Sequence, residues 1–182
     1  MNQRIWLGAA CAACAACGSS SSAADPDAAA DGAAVTGLII NEVMASNTSA
    51  CADPFGEFDD WVELYNPGAS DIDLGGFTVT DDTTQPTKAT LSAGVIVPAH
   101  GWKVLWCDDQ VQGTDHLPFK LSADGEQFAI YAADGTLIDS VTFGAATTDV
   151  AFARLPDGTG EFASCAHATC GAANGATCAA VP

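Results

Sequence analysis

With 182 residues, the chain has room for one hydrophobic core with flanking tails and is too short for two domains of ordinary size. Its 23 acidic residues against 5 basic ones give a formal net charge of -18, without a run long enough to make an acidic tail, so the acidity belongs to a folded surface. That field repels polyanions, because nucleic-acid affinity rests on Lys and Arg displacing counterions, so no nucleic acid is expected as a partner; calcium, a cationic surface or simple solubility is the natural correlate of such charge.

The chain opens on Met1, Asn2, Gln3 and Arg4, continues through an apolar stretch over 5–16, and breaks at Cys17, Gly18 and four serines. One positive charge, an apolar run of about a dozen residues and small residues before a break make a secretory leader, and the run is shorter than the roughly 20 residues that span a bilayer. Ala15, Ala16, Cys17 and Gly18 resemble the end of a bacterial lipoprotein signal, which predicts residues 1–17 as the leader and Cys17 as the acylated cysteine. Cys14 stands where that pattern favours Leu, and Cys11 and Cys14 are competing attachment points. Each buried methylene contributes about 0.8 kcal/mol, so several acyl chains on one cysteine anchor firmly. Gly18 rather than Asp follows the cysteine, and the resemblance to lipoprotein signals implies sorting to the outer membrane of a Gram-negative envelope. Residues 18–36 are Ser, Ala, Asp and Gly with almost nothing large to bury, which predicts a disordered spacer.

From Gly37 onward short stretches rich in Val, Ile, Phe, Trp and Tyr recur between Gly, Pro, Asn and Asp, the pattern of strands separated by tight turns. Strands are predicted over 38–44, 61–66, 77–80, 102–107, 127–132, 137–143 and 151–155, and no comparable window has helical spacing. Within Trp61-Val62-Glu63-Leu64-Tyr65, Val62 and Leu64 share one face while Trp61, Glu63 and Tyr65 share the other, so neither face is purely polar. Asp134-Gly135 joins two strands as a hairpin turn, and Asp124-Gly125 and Asp157-Gly158 repeat that chemistry. The expected fold is all-β, an immunoglobulin-like β-sandwich of about seven to nine strands over 37–163, with a barrel as the alternative. A cysteine-containing tail follows over 164–182.

In an exported chain disulfides are the default, and Cys51, Cys107, Cys165, Cys170 and Cys178 cannot all pair internally. The expected pairs are Cys51 with Cys107, tying the loop before Trp61 to a strand end, and Cys165 with Cys178, closing the tail; Cys170 is the alternative to either tail partner. Zinc is disfavoured because Cys165, Cys170 and Cys178 lack the short paired spacing of such sites.

Several ordered stretches carry a more specific resemblance. They are Leu38-Ile39-Ile40-Asn41-Glu42-Val43-Met44-Ala45-Ser46-Asn47, then Asp59-Asp60-Trp61-Val62-Glu63-Leu64-Tyr65-Asn66, then Asp73-Leu74-Gly75-Gly76-Phe77-Thr78-Val79-Thr80-Asp81-Asp82. Phe119-Lys120-Leu121-Ser122 with Gly125-Glu126, Asp134 to Val141, and Arg154-Leu155-Pro156-Asp157-Gly158 follow in order. Together they resemble the bacterial lamin tail domain. The resemblance implies an immunoglobulin-like sandwich without a catalytic centre: an interaction module in nuclear lamins, and in bacteria a part of exported proteins. The ending Ala168-Thr169-Cys170-Gly171-Ala172-Ala173-Asn174-Gly175 is similar to that of these bacterial modules, except that Cys170 stands where proline is usual.

Asp59, Asp60 and Glu63, with Asp53 and Glu57 upstream, could surround a calcium ion, which takes six to eight oxygens, although no Asp-x-Asp-x-Asp-Gly loop is present. The resemblance implies instead that Asp60 and Glu63 accept backbone amides and fix Trp61 in the core. Asp81-Asp82 and Asp108-Asp109 follow strands and read as solvated turns; as paired carboxylates they would be the machinery of a small hydrolase. His100, His116 and His167 have no zinc-ligand spacing and read as surface residues, and nothing resembles a Gly-x-Ser-x-Gly elbow. The sequence therefore predicts a non-catalytic, lipid-anchored, extracytoplasmic binding or scaffolding module with an unknown protein or envelope partner and no cofactor. A calcium-dependent adhesion module and a hydrolase using surface carboxylates are the alternatives.

Overall fold

The computed structural model describes residues 37–110, 112–175 and 178. The expectations for the leader, the spacer and Cys17 lie outside these residues. Twelve strands follow one another: β1 (Ile39–Met44), β2 (Asp60–Tyr65), β3 (Ile72–Asp73), β4 (Thr78–Thr80), β5 (Ala89–Thr90), β6 (Ile96–Val97), β7 (Trp102–Cys107), β8 (His116–Leu117), β9 (Glu126–Tyr131), β10 (Leu137–Phe143), β11 (Ala151–Leu155) and β12 (Glu161–Cys165). They form a six-stranded sheet in the order β12-β11-β1-β2-β7-β8, a four-stranded sheet β10-β9-β4-β5, and the pair β3-β6. The architecture is all-β and immunoglobulin-like. Every ladder is antiparallel except β7 with β8, which run parallel through Trp106↔His116 and Cys107↔Leu117.

The seven predicted runs became strands within a residue of their expected bounds. The additional ones are short or weak in β-formers. β3, β5, β6 and β8 have two residues each, too few for a period to show. β12 carries Ala163 and Ser164 and is held by its hairpin with β11, in register from Ala151↔Cys165 to Leu155↔Glu161.

The main core lies between the sheets. Ile40, Val43, Val62, Leu64, Leu105 and Cys107 meet Val79, Phe128, Ile130, Val141 and Phe143, with Leu74, Val95 and Val97 from the β3-β6 region. Each fully buried Val, Leu, Ile or Phe contributes about 1.5–3 kcal/mol. Ile40 and Val43 are three apart and could not share a face of a regular strand. A register shift between Ile40 and Glu42 inserts the extra residue that turns both inward.

β1 and β2 are buried on both faces, which accounts for the apolar and acidic residues that the sequence placed opposite Val62 and Leu64. On the outer face, Met44, Trp61, Trp106, Ala151, Ala153, Cys165 and Cys178 form a second apolar cluster with Cys51 and Cys170 against it. The C-terminal tail covers this face, tied down by Cys165–Cys178 and Cys51–Cys170. The expected Cys51–Cys107 pair is thereby corrected: Cys107 is free and fully buried. Alternation along β7 sends Leu105 and Cys107 into the sandwich interior and Trp106 outward, whereas Cys51 lies on the outer face, so the sheet separates the two sulfurs. Cys170 is the partner that the outer face supplies.

Candidate functional site

Two of the buried polar assemblies among the described residues bear on function, and they do different work. The first lies under the tail. Asn41 donates from Nδ2 to Glu63 Oε1 at 2.8 Å and to Asp157 Oδ1 at 2.9 Å, and its Oδ1 accepts the Gly158 amide at 2.9 Å. Glu63 Oε2 accepts the Gly171 amide at 2.6 Å, and Glu42 accepts the Thr169 amide and hydroxyl. Asn174 closes the assembly by donating to the carbonyls of Asn41 and Arg154. Gly158 has φ +65 and its Cα faces Tyr65, where a Cβ would sit 2.6 Å from the ring, so only glycine fits this turn. Burial pushes the Glu63 carboxyl up to about 8, helped by the neighbouring Glu42 and opposed by the Asn41 hydrogen bond. Burial likewise raises Glu42, against the hydrogen bonds from Thr169. Every member is bonded to strand or tail, so this assembly fastens the tail.

The second assembly is the loop between β1 and β2. Asn47 Nδ2 donates to the carbonyls of Cys51 at 2.6 Å and Asp59 at 2.8 Å, clamping both ends of the loop. Inside it, Asp53 Oδ1 accepts the amides of Phe55 at 2.9 Å and Glu57 at 2.7 Å, and Gly56 takes φ +86 to let the chain turn. The result brings carboxylate oxygens of Asp53, Glu57 and Asp59 within 4.8 Å of one another. Gln112, from the segment between β7 and β8, donates from Nε2 to Glu57 Oε2 at 2.9 Å. Asp53 Oδ2, Asp59 Oδ2 and Gln112 Oε1 are buried without a hydrogen-bond partner among the described residues. Burial raises the Asp59 carboxyl, reinforced by Asp108 and opposed by Lys120. Phe55 and Phe58 project from the same loop with 59% and 45% exposure.

Beside this loop His116 is buried, not at the surface as its sequence context implied. Its Nδ1 bonds Asp108 Oδ2, its Nε2 is 4.0 Å from Asp53 Oδ2 and from Asp115 Oδ1, and Phe55 and Trp106 pack against its ring. The parallel β7-β8 pairing creates this arrangement, and no local pattern announces a two-residue strand. His100 and His167 are exposed.

The acidic group singled out in the sequence therefore divides. Asp53, Glu57 and Asp59 come together, while Glu63 faces the tail and Asp60 accepts the amides of Leu121 and Asn47. Burial pushes Asp60 up to about 6. Gln112 was not legible as a member, because it arrives from 55 positions beyond Glu57. The other carboxylate pairs are engaged locally. Asp81 pairs with Lys88 Nζ at 2.5 Å, Asp82 caps a turn through Thr84 and Gln85, and Asp108 holds His116 and the Gln110 amide. Asp81 and Asp82 line an open cleft of about 580 Å³ together with Glu126, whose carboxylate accepts the Ser122 amide. Among the described residues no serine hydroxyl bonds to His116.

Comparison with known proteins adds one finding. A family model described as Lamin Tail Domain matches residues 32–145, well over half of the chain. No curated protein and no solved structure matches it.

Proposed function

Because the chain belongs to the lamin tail domain family, we propose that it works outside the cytoplasm as a non-catalytic binding or scaffolding module, held to the cell envelope by lipid on Cys17. The observation that carries this reading is the pair of disulfides that fasten the tail across the sheet, since such bonds persist in oxidising compartments and are rare in the cytosol. The leader over 1–17, with one arginine, an apolar run and Ala15-Ala16-Cys17-Gly18, supports export and acylation. Among the described residues no helix is long and apolar enough to cross a membrane. The spacer over 18–36 would let the domain stand off the lipid surface and reach a protein or envelope partner. Gly18 supports the outer membrane as destination.

Metabolic labelling with a fatty-acid probe tests the anchor. Wild-type protein takes up label and floats with envelope membranes, and Cys17→Ser abolishes both. Unlabelled wild type, or label that survives Cys17→Ser, refutes attachment at this residue.

A further inference from the structure

We propose that the loop between β1 and β2 is a calcium site, with Asp53, Glu57, Asp59 and Gln112 supplying oxygen ligands. Three neighbouring carboxylates would carry no such weight if each were solvated or hydrogen-bonded, as most acidic clusters are. Here Asp53 is the exception, because its side chain is 0% exposed and its Oδ2 has no donor among the described residues. Every unpartnered buried side-chain oxygen found among those residues belongs to this loop or to the glutamine bonded to it: Asp53 Oδ2, Asp59 Oδ2 and Gln112 Oε1. Buried oxygens are nearly always paired, and a carboxylate oxygen withdrawn from water without a donor asks for a cation.

The protein supplies little positive charge to meet it. No Lys or Arg nitrogen lies within 4.0 Å of the three carboxylates among the described residues, and His116 Nε2 reaches 4.0 Å from Asp53 alone. Oxygens within 4.8 Å of one another can share one ion at the 2.3–2.6 Å distances that calcium takes. An all-oxygen set with carboxylates and an amide suits a hard cation, whereas zinc favours nitrogen and sulfur. Calcium accepts irregular geometry and six to eight ligands, while magnesium demands a near-octahedral shell. Glu57 is exposed, which leaves an entrance and room for water to complete the coordination. This inference stands independently of the lipid anchor, and the two fail separately.

Calorimetric titration of calcium chloride into the mature, disulfide-bonded chain at 0.15 M salt tests it. One equivalent is expected to bind, with Kd of about 10⁻³ M or tighter, the range of extracellular calcium modules. The melting temperature rises with calcium relative to chelator, since a ligand of the folded state stabilises it. Glu57→Gln, at an exposed position that the fold tolerates, weakens binding at least about tenfold and removes the thermal shift, because a carboxylate ligand is lost. Asp53→Asn does the same while keeping an Oδ1 acceptor for the loop. Asp134→Asn removes an equal charge from the β9-β10 hairpin and leaves binding unchanged, which separates the site from the general field of the acidic protein. Absence of binding to wild type, wild-type affinity in Glu57→Gln, or an equal loss in Asp134→Asn overturns the proposal.

Discussion

Glu63 lies on the outer face of β2 with 0% exposure, its carboxyl pushed up to about 8 from an ordinary 4.5. Between those two values the unfolded chain has released a proton that the folded chain retains, so stability falls as pH rises through that window and levels off above it. Asp60, pushed up to about 6, and the raised Glu42 act in the same direction. Chemical denaturation from pH 4.5 to 8 is expected to show that decline. Glu63→Gln flattens the slope and lowers stability at the acid end of the range by about 1–3 kcal/mol, because an amide nitrogen replaces one of the two oxygens that accept from Asn41 and Gly171; the deficit shrinks as pH rises, since the amide does not ionise. A slope unchanged by the substitution would assign the pH response to other groups. Asp60 and Glu63 were legible as amide acceptors through the family resemblance. The donors were not, because Gly171 is 108 positions from Glu63.

β1 and β2 show why an element can be read correctly and still be misunderstood. Their alternation announced strands, but the composition of the second face, Trp61 and Glu63, made sense only once the tail was laid over it. The tail acts as a third layer, and Cys51–Cys170 is its fastener, closing a loop of 119 residues. Replacing both cysteines with serine is expected to lower stability by about 2–4 kcal/mol in denaturant unfolding. It also exposes the chain beyond β12 to limited proteolysis while the sandwich core resists. An identical unfolding midpoint would show that the polar assembly around Glu42, Glu63 and Asn174 holds the tail alone. The Cys107 expectation failed for a reason of geometry. Sequence distance said nothing about faces, and β7 alternation placed that thiol among Leu105, Phe128 and the rest of the interior.

Across the whole molecule, protection should follow position in the sheets. β1, β2 and β9 are each paired on both sides, whereas β12, β10, β5 and β8 form edges. Amide hydrogen exchange is expected to be slowest in β1, β2 and β9 and markedly faster in β12, because edge amides open by local fraying while central ones need the sandwich to separate. Equal protection in β12 and β2 would mean that the tail unfolds only with the core. The seven expected strands, the sandwich class and the family motifs were legible because they depend on period-two patterning and turn chemistry, which are local properties of the chain. The Cys165–Cys178 pair matches the sequence expectation, whereas tertiary structure alone decided that Cys51 met Cys170, which face of β1 and β2 received the tail, and that Gln112 and His116 joined the loop carrying Asp53, Glu57 and Asp59. These are contacts between residues from about 50 to more than 100 positions apart, set by strand order and by the side of the sheet each residue faces, and no local pattern encodes either.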